Sequence, residues 1–359
     1  MKSVLKFLAL SIFCFSQQIN ALVILQYHHI SDTTPKSTSL SPALFEQHLN
    51  YLNNNNFQVI SLKQASLMLQ QGRLIADKSV VITFDDGYRS IFTEAFPLLK
   101  KYNFPFTVFV NTSPIEHQLP QFMGWQELQK LIDNGGSIGN HTVNHAHLIK
   151  KNKRNISSQT EMIISEIQDA QRLLEKNLSE VLKAFAYPYG EYDLVTKATV
   201  KKLGYIAFGQ QSGAVPINAD LQAIPRFPFG GDYGELDDFI VKVNSLPMPI
   251  EKIILLDKDD NRLDEHLLSK GQNKVKLKMF LAKEGRAINI TCYSSDGSQL
   301  SRTEISDSTF IFSSLNDLPI GRSRYNCTAA SLEKGRFYWF SQPWIKANEF
   351  GNYFSETEL

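Results

Sequence analysis

The sequence predicts an α/β chain of two domains: a parallel α/β domain over residues 22–249, then a small all-β, sandwich-like domain over 250–359. Three observations carry this reading. Short apolar runs alternate with amphipathic segments as far as Pro249. Beyond Ser245-Leu246-Pro247-Met248-Pro249 no helical period of useful length appears. Two of the three cysteines, Cys292 and Cys327, fall in that last stretch.

Residues 1–21 read as a signal peptide rather than as fold. Met1-Lys2 is a short basic start, Leu5 to Phe15 an apolar core that includes Cys14, and Ala21 a small residue suited to cleavage. The run is short for the ~20 residues of a membrane span, and no later stretch is long enough. A mature chain beginning near Leu22, periplasmic or secreted and without a membrane span, is therefore expected. The expected strands of the first domain are Val23–Tyr27, Val80–Phe84, Thr107–Val110, Ser137–Asn140, Ala184–Tyr187, Ile206–Phe208 and Ile224–Phe227. Between them lie helical patterns over Pro42–Asn53, Leu62–Gln70, Ile91–Lys101, Trp125–Asn134, Ser157–Lys176 and Leu194–Leu203. Several end in Gly or Asn, as helix stops do. Such alternation predicts a parallel sheet, and a barrel would gather its strand ends, with its chemistry, on one face.

In the second domain Val275–Leu281, Ala287–Tyr293, Thr309–Phe312 and Arg336–Ser341 read as strands, with turns such as Ser295-Asp296-Gly297 between them. Two cysteines in an exported chain suggest one Cys292–Cys327 disulfide, worth ~3–4 kcal/mol by loop-closure entropy. Trp339 and Trp344 suit a core or a domain interface as well as a sugar platform. The net charge is +1, from 37 basic and 36 acidic residues, which leaves no electrostatic footprint for nucleic acid. Nothing in the sequence fixes an oligomeric state.

Chemistry concentrates at strand ends. Val80-Val81-Ile82-Thr83-Phe84 runs straight into Asp85-Asp86-Gly87. Two adjacent carboxylates at the end of a buried strand are costly unless a cation or proton resolves them, although a solvated Gly-assisted turn would also do. Farther along, Gly139-Asn140-His141-Thr142-Val143-Asn144-His145 places two histidines four apart, the spacing that puts both imidazoles on one face of a helical turn. Two His plus one Asp leave open positions for water and substrate, as a catalytic Zn²⁺ needs. In Tyr187-Pro188-Tyr189-Gly190, Pro and Gly fix a loop that could aim a backbone N–H inward as an oxyanion donor.

Thr83-Phe84-Asp85-Asp86-Gly87, His141-Thr142-Val143-Asn144-His145 and Tyr187-Pro188-Tyr189-Gly190, in this order, resemble the polysaccharide deacetylases of the NodB-homology type, carbohydrate esterase family 4. The resemblance spans roughly Leu22 to Pro249. It implies an irregular (β/α) barrel, and a divalent metal, usually zinc, held by Asp86, His141 and His145. It further implies Asp85 as general base, the Tyr189 amide as oxyanion donor, and removal of N- or O-acetyl groups from glycans such as chitin, peptidoglycan or poly-N-acetylglucosamine. An N-acetylated polysaccharide is thus the expected partner.

Two departures from the family pattern matter. Where the family often has an Arg tethering the base, this chain has Ala186, and Arg226 in Pro225-Arg226-Phe227-Pro228 is the candidate substitute. The family's late Leu-x-x-His strand is also missing: Ile253-Ile254-Leu255-Leu256-Asp257 has no histidine, and His266 stands in a charged, loop-like setting. Leu25-Gln26-Tyr27-His28 supplies that pattern at the first strand instead. First and last strands are neighbours in a closed barrel, so His28 is the expected general acid, with His29 pointing away. A Tyr-His first strand is similar to the exported poly-β-1,6-N-acetylglucosamine deacetylase branch. Tyr88, Trp125 and Tyr233, as aromatic faces, and Arg226 are the candidate glycan contacts, with ordinary packing as the alternative for each. An O-acetyl esterase, or a glycan-binding protein with a dead site, would share most of these residues.

Overall fold

A computed structural model describes residues 21–149, 155–286 and 288–353. The expected signal peptide, apart from Ala21, lies outside the described residues. Among the described residues no helix is long and apolar enough to cross a membrane.

The first part of the chain is built on seven strands: β1 (Leu22–Tyr27), β2 (Ser79–Phe84), β3 (Phe106–Val110), β4 (Gly136–Asn140), β5 (Ala184–Ala186), β6 (Ile206–Phe208) and β7 (Phe227–Pro228). All pair in parallel, in the order β7-β1-β2-β3-β4-β5-β6, with Gln58–Val59 added beside β2. β1, β2 and β3 are buried at every position, because layers cover both faces of the sheet. The sheet curls until its ends approach: Ile224 bridges Phe208, and the Arg226 amide donates to Gln211 O at 3.0 Å. The result is the parallel sheet that the alternating pattern predicts, curled into the irregular barrel that the family resemblance implies.

Three local differences from the sequence expectation have physical causes. The last strand is Phe227–Pro228 rather than Ile224–Phe227, since Pro225 lacks the N–H a ladder needs. The Ile91–Lys101 helix divides into a π-helical turn, Ile91–Ala95, and an α-helix, Phe96–Tyr102. Pro97 cannot donate to the preceding turn, and the backbone widens there. A helix over Leu236–Val243, absent from the expectation, packs Phe239 against Phe229 at 5.3 Å.

From Leu246 onward the chain forms two five-stranded sheets around a core that includes Met279, Phe312, Tyr325 and Trp344. One joins Arg262–Leu263, Ile250–Asp257, Val275–Leu281, Thr309–Ser313 and Ser301–Ser306, all antiparallel. The other centres on Gly321–Ala330 and Phe337–Lys346. Ile250–Asp257 therefore belongs to this sandwich-like part and not to the barrel. Cys292 and Cys327 stand opposite each other in register and are disulfide-bonded.

The two parts are pinned together. Leu246–Pro247 pairs in parallel with the Phe337–Lys346 strand, and Trp339 meets Phe227 edge-on at 5.2 Å. Arg336 forks Asp77 with two 2.9 Å bonds and donates through Nε to Asn244 O. Trp344 is fully buried and Trp339 half-buried, so both serve core and interface rather than a sugar platform. His266 is likewise no loop residue in solvent: it is buried with its ring 4.8 Å from Tyr192, and burial lowers its pKa to about 4.

Candidate active site

The carboxyl ends of the barrel strands deliver the site. β1 ends at Tyr27, whose carbonyl accepts the Asp85 amide at 2.9 Å, so the two strand ends stay side by side. His28 follows on one and Asp85-Asp86 on the other. His141 follows β4, and Tyr187-Pro188-Tyr189 follows β5.

The adjacent aspartates find two different solutions to their charge. Asp85 lies fully out of solvent. Arg226 Nη1 and Nη2 donate to its two oxygens at 2.7 and 2.8 Å, and Gln26 Nε2 donates to Oδ2 at 2.6 Å. Burial alone would raise its pKa, but the Arg226 and His141 charges outweigh burial and hold the carboxyl below its ordinary value. Three donors leave roughly one lone-pair position of the carboxylate open. Arg226 itself is 0 % exposed, its Nε bound to Gly209 O at 3.0 Å. Its expected glycan contact is therefore corrected: no face of it reaches solvent, and what it touches is Asp85.

Asp86 turns the other way, through a left-handed backbone (φ 72°). Its Oδ1 lies 3.3 Å from His141 Nε2 and 3.4 Å from His145 Nε2, buried and without a well-aligned donor. The ligand atoms of the three residues fall within 4.8 Å of one another. His141 Nδ1 donates to Ala186 O at 2.8 Å, which turns Nε2 toward Asp86. Burial opposes a low Asp86 pKa, yet His141 and His28 together hold it well below the usual carboxylate range. Burial and the His141 charge lower His145 to about 4, so its ring is neutral near pH 7, the ligand form. One carboxylate oxygen and two imidazole nitrogens converging on a point, with the oxygen otherwise unsatisfied, fit a divalent cation.

The histidines do not meet by the helical turn their spacing suggests. Residues 141–149 contain no helix, and Thr142 (φ 73°) and His145 (φ 55°) are left-handed. Asn140 Oδ1 accepts the Thr142 amide, Thr142 Oγ1 accepts the His145 amide, and Glu166 accepts the amides of Val143 and Asn144. Side-chain acceptors thus take the N–H groups that a helix would have used.

His28 stands close enough to Asp85 and Asp86 for its charge to lower both carboxyls. His29 does not point clear of the site as strand alternation suggests, since the strand breaks at residue 28. Its ring stacks on Tyr88 at 3.6 Å, and burial takes its pKa to about 4 against the pull of Asp86. Tyr88, half-buried, has its phenol pushed up by burial and by Asp86, which sets it at the edge of the carboxylate pair. Tyr189 is left-handed (φ 59°), with its ring edge-on to His145 at 4.4 Å. Trp125 opens the Trp125–Ile132 helix, and its indole donates to Glu116 at 3.0 Å. Tyr233 is 71 % exposed on the turn after β7.

Sequence reasoning missed Gln26, the second donor to Asp85. Its signal was a lone amide inside the otherwise apolar Leu22–Tyr27 run. It also missed His147 and Glu191, buried and joined at 2.7 Å beside Tyr189.

Comparison with known proteins identifies the family and the fold. The profile of the family described as polysaccharide deacetylase matches residues 75–208. The Bacillus subtilis (strain 168) protein YxkH, named as a polysaccharide deacetylase, is 31% identical over 206 residues, 57% of this chain and 70% of that protein. The poly-β-1,6-N-acetyl-D-glucosamine N-deacetylase of Staphylococcus aureus (strain MRSA252) is 29% identical over 213 residues, covering 57% and 73%. Among solved structures, the Streptococcus pyogenes deacetylase PplD in complex with acetate superposes with a TM-score of 0.56 at 25% identity, over 63% of this chain and 99% of that one. IcaB from Ammonifex degensii shares the fold, with a TM-score of 0.53 at 24% identity over 60% and 95%. With its carboxylate pair and two histidines at the strand ends of such a barrel, the chain belongs to the polysaccharide deacetylase family of the NodB-homology type.

Proposed function

We propose that the chain is a metal-dependent hydrolase of carbon–nitrogen bonds that removes N-acetyl groups from a poly-N-acetylglucosamine-like glycan outside the cytoplasm, in the periplasm or secreted. The observation that carries this reading is the division of labour within Asp85-Asp86: one carboxylate held by Arg226, the other turned toward two histidines. The likeness to the staphylococcal enzyme supports the glycan class, and the start of the sequence supports export.

Asp86, His141 and His145 would hold the divalent ion, Zn²⁺ by preference for two imidazoles and a carboxylate. When bound there, such an ion polarises an acetamide carbonyl and acidifies a water. Asp85, kept ionised by Arg226, accepts the proton of the attacking water at its open lone pair. The Tyr189 N–H, on its rigid Pro-Tyr-Gly turn, donates to the developing oxyanion. His28, beside the carboxylate pair, donates a proton to the departing sugar amine. Tyr88 lines the carboxylate side, and Tyr233 and Trp125 are the aromatic faces left for sugar rings.

Acetate release from N-acetylglucosamine oligomers, O-acetylated xylan and peptidoglycan, with and without chelator and added Zn²⁺, tests the reading. Release from the oligomers, lost with chelator and restored by Zn²⁺, is expected. Release from the O-acetylated substrate alone would make the protein an esterase. Binding without release would make it a glycan-binding protein.

A further inference from the structure

We infer that Arg322, contributed by the C-terminal sheet, is a positioning residue for the Tyr189 loop of the deacetylase site. The inference rests on the reading above that the Tyr189 amide serves the reaction.

Tyr189 sits in a left-handed conformation (φ 59°) that a non-glycine residue holds only when its surroundings impose it. The next residue, Gly190 (φ 70°), presses on Gln210, where a Cβ would fall 2.6 Å from the Gln210 Cβ. Side chains hold the turn from both sides. The His147 ring lies parallel to the Tyr189 ring, 4.1 Å away at an interplanar angle of 9°, and the His145 edge closes the other approach. His147 Nδ1 donates to Glu191 Oε2 at 2.7 Å, so the residue after the turn anchors the ring that stacks on it.

The remaining oxygen of Glu191 faces Arg322 Nη1 at 3.4 Å, and the same guanidinium stands 5.0 Å over the Tyr189 ring. Arg322 is the second residue of the Gly321–Ala330 strand, and two residues along Arg324 Nη1 donates to Gln210 O at 3.4 Å. Neighbouring side chains on one face of this strand therefore reach the loops after β5 and after β6. Glu191 is 2 % exposed and Arg322 42 %. A pair with one partner so wet adds little to overall stability, so its effect falls on where the loop sits rather than on whether the chain folds. A Glu191 carboxylate that lost Arg322 would keep only His147 among the described residues, and the ring stacked on Tyr189 would lose its fixed counterpart. Displacement of an oxyanion donor lowers turnover without weakening substrate binding.

The test uses the full chain with Arg322→Ala and Arg322→Lys. Hydrogen–deuterium exchange of the 187–192 peptide reads the loop directly, and acetate release from N-acetylglucosamine oligomers reads the chemistry. Arg322→Ala is expected to speed exchange in that peptide and to lower kcat roughly tenfold. KM, zinc content and the melting transition should remain those of the parent. Arg322→Lys, which keeps a cation over the ring, is expected to recover most of both readouts. Unchanged exchange in Arg322→Ala overturns the inference. So does a rise in KM at unchanged kcat, which would make Arg322 a glycan contact. A parent protein that releases no acetate defeats the proposed function alone, because the exchange experiment still decides whether Arg322 orders the loop.

Discussion

Arg226 and His28 are the residues on which the charge pattern of the site turns. Arg226 and Asp85 are both out of solvent, so removing the guanidinium leaves a buried carboxylate with Gln26 as its only side-chain donor among the described residues. Breaking such a pair costs ~3–5 kcal/mol, and Arg226→Met should show that loss in urea unfolding; a loss below ~1 kcal/mol would mean the pair is dispensable. His28 poses a different question, because it approaches both carboxyls without belonging to the convergent trio. His28→Ala should lower acetate release by ~10²–10⁴ while bound zinc stays normal, the signature of a lost proton donor. His141→Ala should abolish both. Elemental analysis beside the rate assay separates the roles, and zinc retained in His141→Ala would break the assignment of the trio.

At the scale of elements, strand β4 and its exit loop do most of the positioning. Gly139 is where β4 passes Phe109: a Cβ there would lie 2.6 Å from the Phe109 ring and 3.2 Å from Ala184 O. Phe109 cannot swing clear, being fully buried against Phe208 and under the Arg226 guanidinium. Gly139→Ala should cost ~1–3 kcal/mol and lower zinc affinity, since the shift reaches His141 two residues on; unchanged zinc titration would disprove that transmission. Asp86, His141 and His145 were legible in the sequence because each follows a strand within a few residues, so local pattern and tertiary placement coincide. The route by which the histidines converge was not legible. It depends on Glu166, from a helix 23 residues beyond Val143, taking the loop amides. The contacts of Glu191 were hidden for the same reason: its partners lie 44 and 131 residues away. Spacing reports a helix only where the helix's own N–H groups have no better acceptor.

For the molecule as a whole, the join between barrel and C-terminal sheets is pH-sensitive by construction. His266 lies buried against Tyr192, where Lys197 and Asp193 act on it with opposite sign. Burial, then Lys197, brings its folded pKa from 6.5 to about 4. The unfolded chain therefore takes up a proton below pH 6.5 that the folded chain refuses until about pH 4. The contribution of His266 to stability is fully present above pH 6.5 and is lost across that window, about 3 kcal/mol at its lower end. His266→Phe should flatten this part of the stability–pH curve in chemical unfolding; an unaltered slope would place the titration elsewhere. The barrel's own closure has a different consequence. Its end strands meet through the Phe208–Ile224 bridge with its flanking backbone hydrogen bonds, and through Arg226, whose Nε grips Gly209 on one side of the seam while its fork grips Asp85 on the other. On the proposed chemistry, shutting the ring and arming the base are one event, so a barrel that gaps at this seam falls silent while nearly all of its secondary structure is still standing.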